Sequence, residues 1–573
     1  MVTKKDVIRL LERIALYMEL KGENPFKISA FRKAAQSLET DARSLTEITD
    51  FTKLPGIGKG TAAVIQEYIE TGSSEVLEGL QKEVPEGLIP LLQLPGVGGK
   101  KLSKLYHELG VIDAETLKQA CEEGKVQKLA GFGKKTEEKL LAALEQFGKR
   151  PERLPIAFML PIVETLERKL KQFDGIEKFS RAGSIRRIKE TIKDIDFIIA
   201  TKEPEKVKEQ LLQLERIKEA VSNGPTKVSL TFAYDYDVNV DFRLVAPEQF
   251  ATALHHFTGS KEHNVRMRQL AKERGEKISE YGVEDMNTGH IQTFSSEEAF
   301  FNHFSLPFIP PEMRESGEEI ERILEQPAYL SLSDIRGDLH MHSTWSDGAH
   351  SIEEMVEACR KRGYQYLAIT DHSQFLKVAS GLTKERWYKQ REEIQRLNEK
   401  YDDITILTGI EMDILPDGSL DFEDDVIQEM DVVIASIHSH FQQPKEKIME
   451  RLKTALSSQH VDIIAHPTGR LIGRRDGYDV NIDLLIQLAK ETNTALELNA
   501  NPHRLDLCVE HLQKAQYAGV KVVINTDAHH INHLSFMELG VSVGRKAWLK
   551  KETVLNTYNI DELKNFLKRH DEQ

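Results

Sequence analysis

Cysteine is scarce: Cys121, Cys359 and Cys508 are the only three in 573 residues. Three cannot build a disulfide framework, so a reducing, cytoplasmic setting is expected. No apolar run approaches the ~20 residues that cross a bilayer. The opening "MVTKKDVIRLLERI" is amphipathic and unlike a signal, so no membrane association is expected. A basic surplus is missing too, since 77 Lys and Arg face 92 Asp and Glu for a net charge of −15. Taken whole, that balance argues against nucleic acid, but its distribution does not. Residues 1–150 are near balance, with 23 basic and 22 acidic side chains, whereas 331–573 carry 29 against 39. Of the 20 histidines, 14 also fall after residue 330. Local motifs therefore decide more than the total. The length suits three or four domains, and a monomer is expected.

Residues 1–150 read as helices joined by short turns, with apolar residues at helical spacing in "KKDVIRLLERIALYMEL". One motif recurs, as "LPGIGKG" (54–60), "LPGVGGK" (94–100) and "LAGFGKK" (129–135). Glycines let backbone approach a phosphate, the N–H groups opening the next helix point at it, and lysine adds charge. Gly56, Gly58 and Lys59, and Gly96, Gly98 and Lys100, are thus candidate phosphate contacts. The loops resemble helix-hairpin-helix motifs, a resemblance that makes that phosphate a DNA backbone, with residues 1–85 and 86–150 as two DNA-binding pieces.

Beyond residue 151, "KDIDFIIA", "KVSLTFAY" and "YDVNVDFRLVA" read as strands of a mixed α/β domain over 151–245. Residues two apart on a strand share a face. Asp194 and Asp196 can therefore address one metal cluster, with Asp241 as a third carboxylate on a second strand. Three carboxylates can hold two Mg²⁺ ions, which suit hard oxygen ligands and keep waters and substrate phosphates in the remaining positions. Gly183 and Ser184 on a tight turn, with Arg187 nearby, are placed to hold triphosphate.

These residues, with "HHFTGSKEHNVRMRQLA" (255–271) downstream, resemble the family X DNA polymerases, the group that includes DNA polymerase beta. The resemblance covers about residues 1–315. It implies a nucleotidyltransferase palm over 151–245 and a nucleotide- and template-contacting subdomain over 246–315. It implies catalytic metal ligation by Asp194, Asp196 and Asp241, with Arg243 orienting them, and triphosphate contacts from Ser184 and Arg187. His256, Phe257 and Gly259 would line the incoming sugar, and Asn264 and Arg268 the nascent base pair and template. Gapped or primer-template DNA and dNTPs are the partners it implies. The sequence departs from the family at two places. The aromatic pair that usually begins with Tyr is His256-Phe257, so loose exclusion of ribonucleotides is expected. Val64 stands where the polymerase beta lyase carries its Schiff-base lysine, and valine has no amine to attack an aldehyde.

Residues 316–334 are bounded by proline and rich in charge, and read as a linker. From 335 to 573, strand-like and helical runs alternate as in an α/β barrel. "DLHMHSTWSDG" (338–348) supplies His340, His342 and Asp347. His372, Glu411, His438, His466, Asp527 and His529 follow at predicted strand ends, where such barrels build active sites. Nine ligands suit a two- or three-ion cluster with a bridging carboxylate, open to water and phosphate. Imidazole ligands favour Mn²⁺ or Zn²⁺ over Mg²⁺, and activity is expected to fall below about pH 6 as they protonate. Arg470, Arg474, Asn499 and Arg504 are placed to hold phosphate, while His440 and His530 read as neighbours.

This region resembles a PHP domain, which implies a metal-dependent phosphoesterase. The whole chain then reads as a multidomain α+β and α/β protein: helix-hairpin-helix N-terminus, polymerase-beta-like palm and C-terminal PHP barrel. The function it implies is short-gap filling in DNA repair, with 3′–5′ exonuclease activity and cleavage at abasic sites. The rivals are a polymerase whose PHP domain is structural, a DNA scaffold without catalysis, and a small-molecule phosphoesterase on a DNA-binding scaffold.

Overall fold

The computed structural model describes residues 4–40, 45, 48, 50–85, 87–92, 94, 97–146 and 151–567. Residues 1–150 with 377–380 group as one compact unit, and 151–376 with 381–573 as another.

The first unit is helical. Helices Lys4–Lys21 and Pro25–Thr40 bury Val7, Leu11, Ile14, Ala34 and Leu38. Helices Lys59–Thr71, Gly99–Leu109 and Lys134–Gln146 each start on a copy of the glycine repeat. The apolar residue between the glycines, Ile57, Val97 or Phe132, is buried each time and anchors the turn. Gly56 has φ +83°, which L side chains rarely adopt. One apolar core runs from Val7 to Leu144, across the expected boundary near residue 85.

In the second unit a five-stranded sheet takes the order Lys178–Ala182, Ile195–Ala200, Asp237–Val245, Lys227–Ala233, Ile217–Asn223. Along Asp237–Val245 burial alternates: Val238, Val240, Phe242 and Leu244 enter the core while Asp241 and Arg243 face away from it. That alternation is what a half-buried strand dictates. Helix Phe250–Thr258 covers Ile198 with Ala253 and Leu254. Arg186 Nη1 donates to Thr258 Oγ1 at the end of this helix at 2.8 Å and belongs to a buried ion network. Glu297 pairs with Arg186 at 2.5 Å and Arg314 at 2.7 Å. Burial would raise the Glu297 carboxyl, but Arg314 and Arg186 outweigh it and hold it at about 2.

The segment expected as a linker packs. Ile320 and Ile323 are buried in the core shared with Phe300 and Phe301, and Glu319 accepts from His263 Nδ1 at 2.7 Å. The Pro and Glu content that reads as solvent-exposed masks two isoleucines at helical spacing.

Seven parallel strands follow in sequence order: Gly337–Asp338, Tyr366–Ile369, Thr405–Asp413, Val432–Ser436, Ile463–Ile464, Ala495–Asn499 and Val522–Asn525. A Met341–Ala528 bridge brings the first and last together, so the barrel nearly closes. Its apolar core is continuous with that of the five-stranded sheet.

Candidate active sites

The parallel register sets Asp196 directly beside Asp241. Asp194 lies one residue before its strand, just after a bend at Lys193. Asn239 Nδ2 donates to Asp194 Oδ1 at 3.3 Å, and Lys227 Nζ pairs with Asp241 Oδ2 at 2.7 Å. Burial first, then Asp241 and Asp194, push the Asp196 carboxyl up to about 6. Mutually repelling carboxylates favour a cation among them. Among the described residues the three are not a group with donor atoms within 4.8 Å of one another.

Gly183 has φ +63°, and a Cβ there would lie 2.4 Å from Asp196 Oδ2. Glycine alone lets this turn approach the carboxylate. It opens the short helix Gly183–Arg186, which carries Ser184 and leads into Arg187. Arg187 Nη1 donates to the Thr258 carbonyl, joining this turn to Gly259. Arg243 stacks over the Phe257 ring at 3.9 Å and favours the charged form of Asp196. Asn264 Nδ2 donates to the His256 carbonyl at 2.8 Å, while Arg268 is exposed. The residues expected at one nucleotide site therefore come from the sheet and the helices packed on it.

At the C-terminal end of the barrel all nine expected ligands converge. Three overlapping groups have donor atoms within 4.8 Å: His342, Asp347, His372 and His529; His340, His342 and Asp527; and His372, Glu411 and His438. Glu411 is central. Its Oε2 lies 3.3 Å from His340 Nε2, 3.5 Å from His342 Nε2 and 2.9 Å from His372 Nδ1. Its Oε1 lies 3.2 Å from His438 Nε2 and 2.9 Å from His466 Nε2. Two of these expected ligands hold left-handed backbone, His466 at φ +29° and Asp527 at φ +53°, a strain typical of functional positions.

A metal cluster fits this donor set. His340 Nε2, both ring nitrogens of His342, His372 Nδ1 and Glu411 Oε2 are buried without a hydrogen bond, a cost that coordination would remove. Burial opposes the charge on His438, but Glu411 and Asp413 outweigh it and lift the ring to about 10. Asp347 similarly lifts His529 to about 9 against burial. Burial first, then His529 and His372, push His342 down to about 3. Burial opposes the charge on His340 too, but Glu497, Glu411 and Asp527 raise it well above the usual imidazole range. These raised rings favour the charged form at pH 7 and must lose a proton to coordinate. Metal affinity should therefore rise with pH from 7 towards 9, a window above the one expected from free imidazole. Calorimetry at pH 7 in two buffers of different ionisation enthalpy should detect proton release as the cluster fills. No buffer dependence would contradict this.

Two orienting residues have no motif in the sequence. Glu497 Oε1 accepts from His340 Nδ1 at 2.7 Å and its Oε2 from the His466 backbone N–H at 2.7 Å. Asp413 Oδ2 lies 3.3 Å from His438 Nδ1. Carboxylates behind metal-binding histidines fix the ring and raise its basicity. Their signal is faint: an acid two residues after Glu411, and one inside the apolar run "ALELN".

Of the four expected phosphate contacts, two reach the cluster. Asn499 Nδ2 donates to Asp527 Oδ2 at 3.1 Å, and Arg504 Nε lies 3.7 Å from it. Arg470 instead pairs with Glu190 of the five-stranded domain at 2.7 Å, and Arg474 is exposed. His440 is exposed and His530 caps the turn that follows it.

In the helical unit, Gly58 and Gly98 cap the N-termini of their helices without a side-chain bond. Lys59 and Lys100 are exposed at those ends. Gly96 lies outside the described residues. Val64 is buried in the helical core, 6% exposed.

Family models match four segments: a helix-hairpin-helix domain over 2–74, a SAM-like helix-hairpin-helix tandem over 88–146, a DNA polymerase beta thumb over 253–315 and a PHP domain over 338–501. The chain is 63% identical over 568 residues to the DNA polymerase/3′-5′ exonuclease PolX of Bacillus subtilis, covering 99% of this chain and 100% of that protein. A probable phosphatase of Thermoanaerobacter sp. is 29% identical over 242 residues, 40% of this chain and 94% of its own. A probable phosphatase of Acetivibrio thermocellus is 26% identical over 245 residues, 41% of this chain and 96% of its own.

Proposed function

The chain belongs to the PolX family of DNA polymerase/3′-5′ exonucleases, and from that membership we propose that it fills short gaps during DNA repair, extending at the aspartate site and trimming at the barrel. One observation carries the reading. Three aspartates beside a glycine turn and a cluster of six histidines with three acids occur in one chain, at separate sites.

The extension reaction joins a primer 3′-oxygen to the α-phosphorus of a dNTP and releases pyrophosphate. In this reading Asp194, Asp196 and Asp241 hold Mg²⁺, Ser184 and Arg187 hold the triphosphate, and Gly183 brings backbone N–H groups close to it. His256 and Phe257 bound the sugar, with Asn264 and Arg268 near the base pair. Gly56, Gly58, Lys59, Gly96, Gly98 and Lys100 grip DNA phosphates without reading bases. In the barrel, Mn²⁺ or Zn²⁺ is held by His340, His342, Asp347, His372, Glu411, His438, His466, Asp527 and His529. Asn499 and Arg504 stand beside that cluster to bind the scissile phosphate. When bound, divalent ions supply Lewis-acid charge stabilisation at the first site and water activation at the second. Glu497 and Asp413 keep His340 and His438 aimed inward. A primer-extension assay on a 5′-phosphorylated single-nucleotide gap tests the reading, because a scaffold without catalysis would bind that duplex and leave the primer unchanged.

Sugar selection gives a quantitative check. His256 is half-buried and packs edge-on against Phe257, with ring centroids 4.8 Å apart. Imidazole presents a smaller apolar edge to a 2′-hydroxyl than a phenol ring. The expected discrimination is modest, with rNTP kcat/KM within about 1,000-fold of the matching dNTP, since a contact worth a few kcal/mol sets it. Single-nucleotide gap filling with both substrates measures the ratio, and a preference far above that value would refute it.

A further inference from the structure

The turn proposed to bind triphosphate is held in place by the barrel domain. Helix Phe536–Lys546 packs on the last barrel strand, where Gly540 meets Ile524. Its far end reaches the polymerase half of the same compact unit. There Arg545 pairs with Glu312 at 3.1 Å. The next residue, Lys546, sends its Nζ to the carbonyls of Arg187 at 3.1 Å and Ile188 at 3.4 Å. It also donates to Glu315 Oε1 at 2.9 Å. The Lys546 side chain is only 11% exposed.

Two features of the turn make this contact matter. Ile188 has φ +51°, and a β-branched residue resists left-handed backbone. Such a conformation persists only where its surroundings hold it. Lys546 supplies a cation to the two carbonyls that flank the strained peptide. Arg187 also has an acidic neighbour, because Glu315 Oε1 lies 3.8 Å from its Nε, a buried nitrogen without a hydrogen bond. Lys189 Nζ, at 2.5 Å, and Lys546 Nζ take the two oxygens of Glu315. With its charge spent on these lysines, Glu315 competes less with an incoming phosphate for Arg187.

We infer that Lys546, a residue of the barrel domain, is a positioning residue of the polymerase site: it holds the Arg187–Ile188 turn and occupies Glu315, so that Arg187 is free to bind the dNTP triphosphate. Lys546 touches no substrate and acts through Arg187. The inference rests on the proposed role of Arg187, and it predicts a defect in nucleotide binding. K546M in the full-length chain should raise the dNTP KM by about 10-fold, the scale of one lost charge-assisted hydrogen bond, while kcat stays within about 3-fold. Exonuclease activity without dNTPs should stay within about 2-fold of wild type, because Lys546 is not among the cluster ligands. K546R keeps the charge and the donors, so its KM should return to within about 3-fold of wild type. If methionine at this buried position lowers the folded yield, K546Q carries the same prediction, because its side chain is neutral and shorter.

The experiment is steady-state single-nucleotide gap filling over a range of dNTP concentrations, with the exonuclease assay run on the same preparations. A K546M KM within 2-fold of wild type overturns the inference. So does a parallel loss of extension and exonuclease activity, which would mark a purely structural role. Failure of the wild-type chain to extend any primer would instead defeat the polymerase assignment of the site.

Discussion

Asp196→Ala should extend a primer across a gapped duplex more than about 100-fold more slowly than wild type, roughly 3 kcal/mol of transition-state stabilisation. Loss of a group behind a metal ligand costs 10- to 100-fold, so loss of the ligand itself costs more. Asp196 is the natural choice. It lies beside Asp241 in register, Gly183 closes over it, and burial, with Asp241 and Asp194 beside it, lifts its carboxyl to about 6. Asp194→Ala should behave alike. Both variants should retain the exonuclease, whose ligands lie on other strands. Time courses of primer extension, with exonuclease rates on the same preparations, check this. Extension near the wild-type rate would mean that the aspartates are not the polymerase site.

The second large effect is expected from His340→Ala with His342→Ala. The pair contributes to two of the three ligand groups and approaches Glu411 from one side. Removing both should lower the Mn²⁺-dependent exonuclease rate by more than about 1,000-fold, since ligand losses in one cluster compound. Gap filling should persist. Loss of shortened products from a labelled primer, with extension retained, is the readout. Equal degradation by the variant and wild type would turn the barrel into a structural or regulatory module.

The candidate residues of both sites are legible in the sequence. Asp194, Asp196 and Asp241 announce themselves because strand periodicity puts chemistry on one face and Phe197, Ile199 and Phe242 on the other. The nine candidate barrel ligands recur at strand ends, and a repeated position is visible even when each His alone is ambiguous. Contacts made across long stretches of chain were not legible. Glu497 sits in an apolar strand and meets His340 across 157 residues, with nothing local to mark either as partner. Lys546 meets Arg187 across 359. Arg470 read as a phosphate ligand because it follows His466, yet Glu190 draws it to the neighbouring domain. Residues 316–334 read as a linker because charge dominates them, and two buried isoleucines outweigh that composition once the helix forms.

One 5′-labelled primer on a gapped, 5′-phosphorylated duplex tests the central claim that separate sites in one chain lengthen and shorten the same 3′ end. The wild-type protein is incubated with Mn²⁺, once with all four dNTPs and once without. The account predicts a longer primer with dNTPs and a ladder of shorter ones without. Asp196→Ala should give only the ladder, and the His340→Ala, His342→Ala protein only the longer product. A primer unchanged in both wild-type reactions, or either variant losing both activities together, would contradict it.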